Sequence, residues 1–316
     1  MLVYILRRIG AAIPILAIVV IVTFSIIHLV PGNPAAVILG PSATAQAIAH
    51  LTRAMGLDKS LPQQFRIWLS GIVQGNFGYS VFLDEPVLRA IAQHAVPTLW
   101  LSIYAEIISI LLSLVLGMVA AWYAGSVIDR VLDIVFMAQI AIPDFILALE
   151  LIYLFAVLVR LFPVSGYTSP SQGLGPFLGS ITLPALVLGI GQAGLIARVI
   201  RDAIVESFQR DYVRVAMAKG ASKMRAFFRH ALRSSLIVPL TMMGSSFATL
   251  LGGVVILESV FNIPGLGWLA VNAILNKDYP TVQAVVMLIA ISYITINLIV
   301  DMLYFVVDPR TRAIYQ

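Results

Sequence analysis

The chain has 316 residues, 60% of them apolar and 11% charged, with a mean hydropathy of +0.98. Soluble globular domains carry about 25% charged residues, so this composition excludes a water-soluble core protein. The net charge of +5 then asks which side of a membrane the basic residues occupy, and the absence of cysteine excludes disulfides, thiolate metal sites and a cysteine nucleophile.

Six stretches reach the roughly 20 mostly apolar residues that cross a bilayer core: 9–30, 99–122, 134–159, 181–200, 236–257 and 282–307. The first follows Arg7-Arg8 and is longer than the apolar region of a signal peptide. It ends in Pro31-Gly32-Asn33-Pro34, not in a small-x-small cleavage site, so a retained anchor helix is expected. Residues 31–98 are too long for a simple connector. They carry turn signals at Pro31-Gly32, Gly40-Pro41 and Gly75-Asn76, and a short helix is expected at 62–69. There Gln63, Gln64 and Arg66 form the polar face, and Phe65, Trp68 and Leu69 are available to pack or to touch the membrane interface. This segment is either a cap packed on the bundle or a docking surface for a soluble partner.

Ionisable groups inside a span cost about 2.5–3.5 kcal/mol each at a helix centre on insertion scales. Glu106, Asp144, Glu150 and Asp301 fall in the spans and are candidates for a polar translocation pathway; interhelix hydrogen bonding is the alternative. At Pro143-Asp144-Phe145 the third span should break locally and turn backbone carbonyls toward a cavity. In the fourth span Gly189, Gly191 and Gly194 are close-packing positions, because small residues let helices approach.

Between the fourth and fifth spans, residues 201–235 place Val213 with Ala216 and Met217, and Phe227 and Phe228 with Ala231 and Leu232, at helical spacings. Gly220 suits a helix C-terminus and Ser222 the next N-cap, so two short helices meet at Gly220. The outer face is basic. Two readings fit: an amphipathic surface on anionic headgroups, or a lever that a soluble protein can push.

Fourteen of the twenty Lys and Arg residues lie at the N-terminus, at Arg130, in the 198–233 segment and at Arg310 and Arg312. The other six are Arg53, Lys59, Arg66, Arg89, Arg160 and Lys277. By the positive-inside rule both termini and the elbow are cytoplasmic, and the basic excess gives no support to nucleic-acid binding. No Gly-Lys dipeptide occurs, so the phosphate-cradling P-loop is absent. His28, His50, His94 and His230 form no metal-hydrolase spacing, and no G-x-S-x-G elbow occurs.

The run Asp211-Tyr212-Val213-Arg214-Val215-Ala216-Met217-Ala218-Lys219-Gly220, with His230-Ala231-Leu232-Arg233 and Pro239, resembles the cytoplasmic EAA loop of ABC importer permeases, in the dipeptide, oligopeptide and nickel branch. The likeness covers nearly the whole chain. Leu2-Tyr4 with Arg7-Arg8, the Pro31–Pro34 turn, Gly56-Leu57-Asp58, Pro62, Gln64, Gly75, Gly78, Tyr79 and Ser80 are similar to the branch's N-terminal half. Glu258, Phe261, Pro264, Gly265 and Gly267 look like its outer-face E-x-x-F-x-x-P-G-x-G signature, and Tyr304 with Asp308-Pro309-Arg310 and Arg312 its C-terminal end. Arg214 stands where the broad superfamily has Glu, which narrows the branch.

The resemblance implies an all-α membrane protein of the type I ABC importer permease fold. Its parts would be a first helix (1–30), an extracytoplasmic segment (31–98), a five-helix core with a coupling loop at 201–235 (99–307), and a cytoplasmic C-terminus (308–316). It implies that Arg214, Ala216, Lys219, Gly220, Ala221 and Ser222 seat in an ATP-binding subunit. It also implies a bacterial inner-membrane location and assembly with a second homologous permease, two ATP-binding subunits holding ATP and Mg, and an extracytoplasmic solute-binding protein. No catalytic residue, metal or cofactor is expected in this chain. Peptides are the expected solute on branch similarity; nickel or metal chelates and opine-like conjugates are alternatives, and an ion-driven secondary transporter is the competing class.

Overall fold

The computed structural model describes residues 2–28, 33–40, 43–54, 56–80 and 82–307. The Pro31-Gly32 turn, Pro41 and the C-terminal motif at 308–312 lie outside the described residues, as does the 308–316 tail. Helix α1 (Leu2–Ile26) leads through α2 (Pro34–Leu39), α3 (Ala45–Ala54) and α4 (Leu61–Val73) to a two-residue-per-strand hairpin, β1 (Tyr79–Ser80) and β2 (Glu85–Pro86). Helix α5 (Val87–Trp122) follows, then α6 (Val127–Ala141) and α7 (Asp144–Leu151), the last continued by a π-helical stretch to Leu158. Helix α8 (Leu174–Phe208) runs into α9 (Asp211–Ala218). The chain then passes through α10 (Lys223–Arg225), a π-helical stretch (Ala226–Leu232) and α11 (Arg233–Ser235) into α12 (Ile237–Val260). Helices α13 (Leu266–Leu275) and α14 (Tyr279–Val307) close the described chain.

Helices α1, α5, α8 and α14 are each long and apolar enough to cross a membrane, and two bent pairs bring the spans to six. One pair is α6–α7, which turns through 105°. Ile142 is extended at the break because the following proline excludes the helical region for it, and Pro143 itself sits at ψ 138°. The expected local break is therefore a sharp corner. The other pair is α12, bent by 50° between Leu250 and Gly252. The 36 residues of α5 span about 54 Å at 1.5 Å per residue, well beyond a hydrocarbon core of about 30 Å. The apolar run 99–122 is thus the inner part of a helix that begins twelve residues earlier. In the same way α8 overruns the 181–200 stretch at both ends.

Helix α8 is the axis of the molecule. Leu183, Ala185, Val187 and Leu188 on α8 pack with Leu101 and Ala105 of α5, Ala148 of α7 and Leu250, Val254 and Leu257 of α12. Small residues set the closeness. A Cβ on Gly117 of α5 would lie 2.7 Å from the Ala197 carbonyl, and one on Gly189 would lie 2.7 Å from Ile108. Gly191 faces the Asp144 carboxylate and Gly194 the Gln139 side chain, so all three glycines of the fourth span are close-packing positions.

The two ends of the bundle differ. At the hairpin end, Val87, Ala90 and Ile91 pack with Leu266, Leu269, Ala284 and Val285. Ser80 donates to Asp278 (2.5 Å), which fixes the hairpin to the turn before α14. The amphipathic α4 lies against the end of α1 through Phe24, Phe65 and Trp68, and Gln64 meets His28 at 2.9 Å. The helix expected at 62–69 is thus present, and its aromatic face is a packing face. Helix α1 is attached along α14, by Gln283 donating to the Thr23 carbonyl (3.0 Å) and by Arg8 paired with Asp301 (2.8 Å).

Candidate functional site: the elbow and the buried knot

The elbow is built on α9. Its C-terminus is closed by two backbone bonds, Gly220 N–H to the Met217 carbonyl (2.9 Å) and Ala221 N–H to the Ala216 carbonyl (3.1 Å). These are the two bonds of a Schellman motif, which needs a left-handed residue. Gly220 supplies it at φ +93°. Ser222 caps the next helix, accepting from Arg225 N–H at 3.4 Å.

The elbow is seated in the bundle. Val213, Ala226, Phe227 and Ala231 are buried among Ile196, Ile200 and Ile204 of α8, Ala121 of α5 and Met243 of α12. Phe227 meets Trp122 edge to face at 5.1 Å, and the Lys223 ammonium lies 5.0 Å over the Trp122 ring. Polar bonds add to this. Ser207, at the end of α8, contacts Tyr212 (2.5 Å) and Ser234 (2.7 Å) and donates to the Ala231 carbonyl (3.2 Å). This triad links both arms of the elbow to α8.

What the elbow leaves outside is equally specific. Arg214, Lys219, Gly220 and Ser222 are exposed, and Ala216 and Ala221 are half-buried. A Cβ on Gly220 would meet nothing within 4 Å. Among the basic residues stand exposed apolar side chains, including Val215, Met224 and Phe228. Phe227 is buried and Phe228 exposed: neighbouring residues point about 100° apart around a helix, so one of the pair faces the bundle and the other leaves it.

At the hairpin end a second constellation forms. The Glu258 carboxylate is fully buried and accepts from Thr98 Oγ1 (2.6 Å), Gly267 N–H (2.7 Å) and Trp268 N–H (3.1 Å). Thr98 Oγ1 in turn accepts from Leu266 N–H at 2.8 Å. The Glu258 carboxyl group thus caps the N-terminus of α13 and satisfies donors that a helix start leaves open. A Cβ on Gly265 would fall 2.1 Å from Glu258 Oε1, and one on Gly267 2.3 Å from the Val255 Cα. Phe261 is 1% exposed, and the Pro264 carbonyl bonds His94, whose ring stacks on Trp268 at 5.6 Å. The Glu258–Gly267 signature therefore stands as a buried knot, not as a surface.

The four acids proposed for a pathway are not brought together. Glu106 is buried and accepts from Ser246 of α12 at 2.9 Å. Asp144 is half-buried at the corner against Gly191. Glu150 is exposed, and Asp301 is ion-paired with Arg8. The structure adds an ionic contact not singled out from the sequence: Arg201 of α8 binds Asp129 of α6 through Nε (2.8 Å) and Nη2 (2.7 Å). The signal for it was present in Asp129 and Asp133 on α6 facing Arg198 and Arg201 on α8.

The model of the binding-protein-dependent transport system inner membrane component matches residues 113–313, and the model of the N-terminal part of such membrane components matches 1–101. The chain is 44% identical over 310 residues to the probable peptide ABC transporter permease protein y4tP of Sinorhizobium fredii (strain NBRC 101917 / NGR234), covering 98% of this chain and 99% of that protein. It is 39% identical over 312 residues to the glutathione transport system permease protein GsiC of Salmonella choleraesuis (strain SC-B67) and 38% identical to that of Escherichia coli (strain K12), each match covering 99% of both chains. The multi-pass helical bundle, the elbow and these full-length likenesses agree, and the chain belongs to the binding-protein-dependent transport system inner membrane component family, as a permease subunit of the type I ABC transporter fold.

Proposed function

We propose that this chain forms half of the translocation pathway of an ATP-driven importer in a bacterial inner membrane, with both termini in the cytoplasm. A second homologous permease supplies the other half. Two ATP-binding subunits carry ATP and Mg and dock on the elbows, and an extracytoplasmic binding protein delivers solute at the hairpin end. The solute is a short peptide; the relatives named above are a peptide permease and a glutathione permease, and glutathione is itself a tripeptide. Nickel, metal-chelate and opine-like solutes are the alternatives within the same role.

The observation that carries the proposal is the build of the elbow. Its inner face is anchored by Val213 and Phe227 to three long helices, while Arg214, Lys219, Gly220 and Ser222 stay open beside Val215, Met224 and Phe228. An anchored element with an open apolar-and-basic face suits a lever better than a helix floating on headgroups.

The test is co-purification, followed by uptake in the reconstituted complex. The tagged chain, extracted in detergent, should bring down an ATP-hydrolysing subunit, and the reconstituted complex should take up a radiolabelled tripeptide only with ATP. A chain that purifies without an ATPase and transports on an ion gradient would make it a secondary transporter.

A further inference from the structure

One stripe of α8 organises its contact with the broken span. Residues 191, 194, 198 and 201 recur at spacings of three and four, so they share one face. From the elbow end upward, Arg201 meets Asp129, Arg198 meets Asp133 (3.4 Å), Gly194 meets Phe136 and Gln139, and Gly191 meets Asp144 beyond the corner.

The first contact differs in kind from the second. The Asp129 side chain is 6% exposed, and its carboxylate accepts three bonds: two from the Arg201 fork and one from Gly125 N–H at 2.8 Å. Asp129 sits in the first turn of α6, where its own N–H points to the Ser126 cap, so the bond grips the helix by its N-terminus. A planar guanidinium held bidentately fixes orientation as well as distance. Arg198 and Asp133 are each more than 40% exposed and share a single long contact. Arg201 lies seven residues, about 10 Å of helix, before α8 ends at Phe208 and the chain turns into α9.

We propose that the Arg201–Asp129 clamp is the joint that carries displacement of the elbow into the broken span, so that α6 moves with α8 and opens or closes the corner at Pro143-Asp144. Arg201 and Asp129 are positioning residues in this role. They touch no solute, and the inference rests on the elbow being the ATPase contact.

The chain has no cysteine, so one introduced at the exposed Phe145 reports on the corner. In the full reconstituted complex, F145C should be modified by a maleimide at a rate that changes severalfold on adding ATP and Mg. With Arg201→Gln or Asp129→Asn added, the ATPase subunits should stay bound and hydrolyse ATP, but the labelling rate should no longer respond to it. Arg198→Gln should keep the response. A persistent ATP response in the Arg201→Gln or Asp129→Asn background would overturn the inference. So would equal loss in Arg198→Gln, or loss of the ATPase subunits from the clamp variants, which would make the clamp a structural prop. Failure of the unsubstituted chain to hold any ATPase would instead sink the elbow reading itself.

Discussion

At the scale of single residues, two glycines do opposite things. Gly267 has no room: a Cβ there would land 2.3 Å from backbone, which cannot yield as a side-chain tip can. Gly267→Ala should therefore destabilise the chain by about 1–3 kcal/mol, the usual cost of overpacking, read as a lowered thermal midpoint in detergent. Gly220 has open space around it, so its requirement is conformational, with φ +93°. Gly220→Asn should keep much of the function, because Asn tolerates positive φ; Gly220→Asp, which sets a carboxylate on an exposed face among Arg214, Lys219 and Lys223, should leave the chain in the membrane yet abolish ATPase coupling. Full transport by the Asp variant would count against the elbow as the docking point. Glu258→Ala should cost about 1–3 kcal/mol for each buried donor left unpaired among Thr98, Gly267 and Trp268. The sequence marked Gly220, Glu258 and Gly267, but not Thr98 or Trp268. It could not tell which glycine was crowded and which was free, because that depends on Val255 and on the absence of a neighbour, not on local spacing.

At the scale of elements, the helices were legible where the signal was one-dimensional. Apolar length announced α1, α5, α8 and α14; Gly220 and Ser222 announced the elbow; Pro143 announced a break. What stayed hidden depended on neighbours. The 105° size of the corner reflects how α7 packs back on α8, and which of the adjacent Phe227 and Phe228 turns inward is set by the bundle they pack on. The intramembrane acids were found by type, but their roles diverge with their partners. Asp301 is held by Arg8, which ties α1 to α14. Asp301→Asn should leave uptake near that of the unsubstituted chain; a large loss would return Asp301 to the pathway.

At the scale of the whole molecule, the pieces form a line. The elbow is seated on the end of α8, α8 grips α6 through Arg201, and the far ends of α5, α12 and α13 are locked by the Glu258 knot. A bundle fixed at one end and jointed at the other suits a subunit that is moved from outside. The most direct measurement is ATP hydrolysis and tripeptide uptake by the purified complex reconstituted with its binding protein. The account requires that the chain co-purify with an ATP-hydrolysing subunit, that uptake depend on ATP, and that Gly220→Asp abolish uptake without removing the chain from the membrane. A chain that stays free of any ATPase, or uptake that proceeds on an ion gradient and ignores Gly220→Asp, would contradict it.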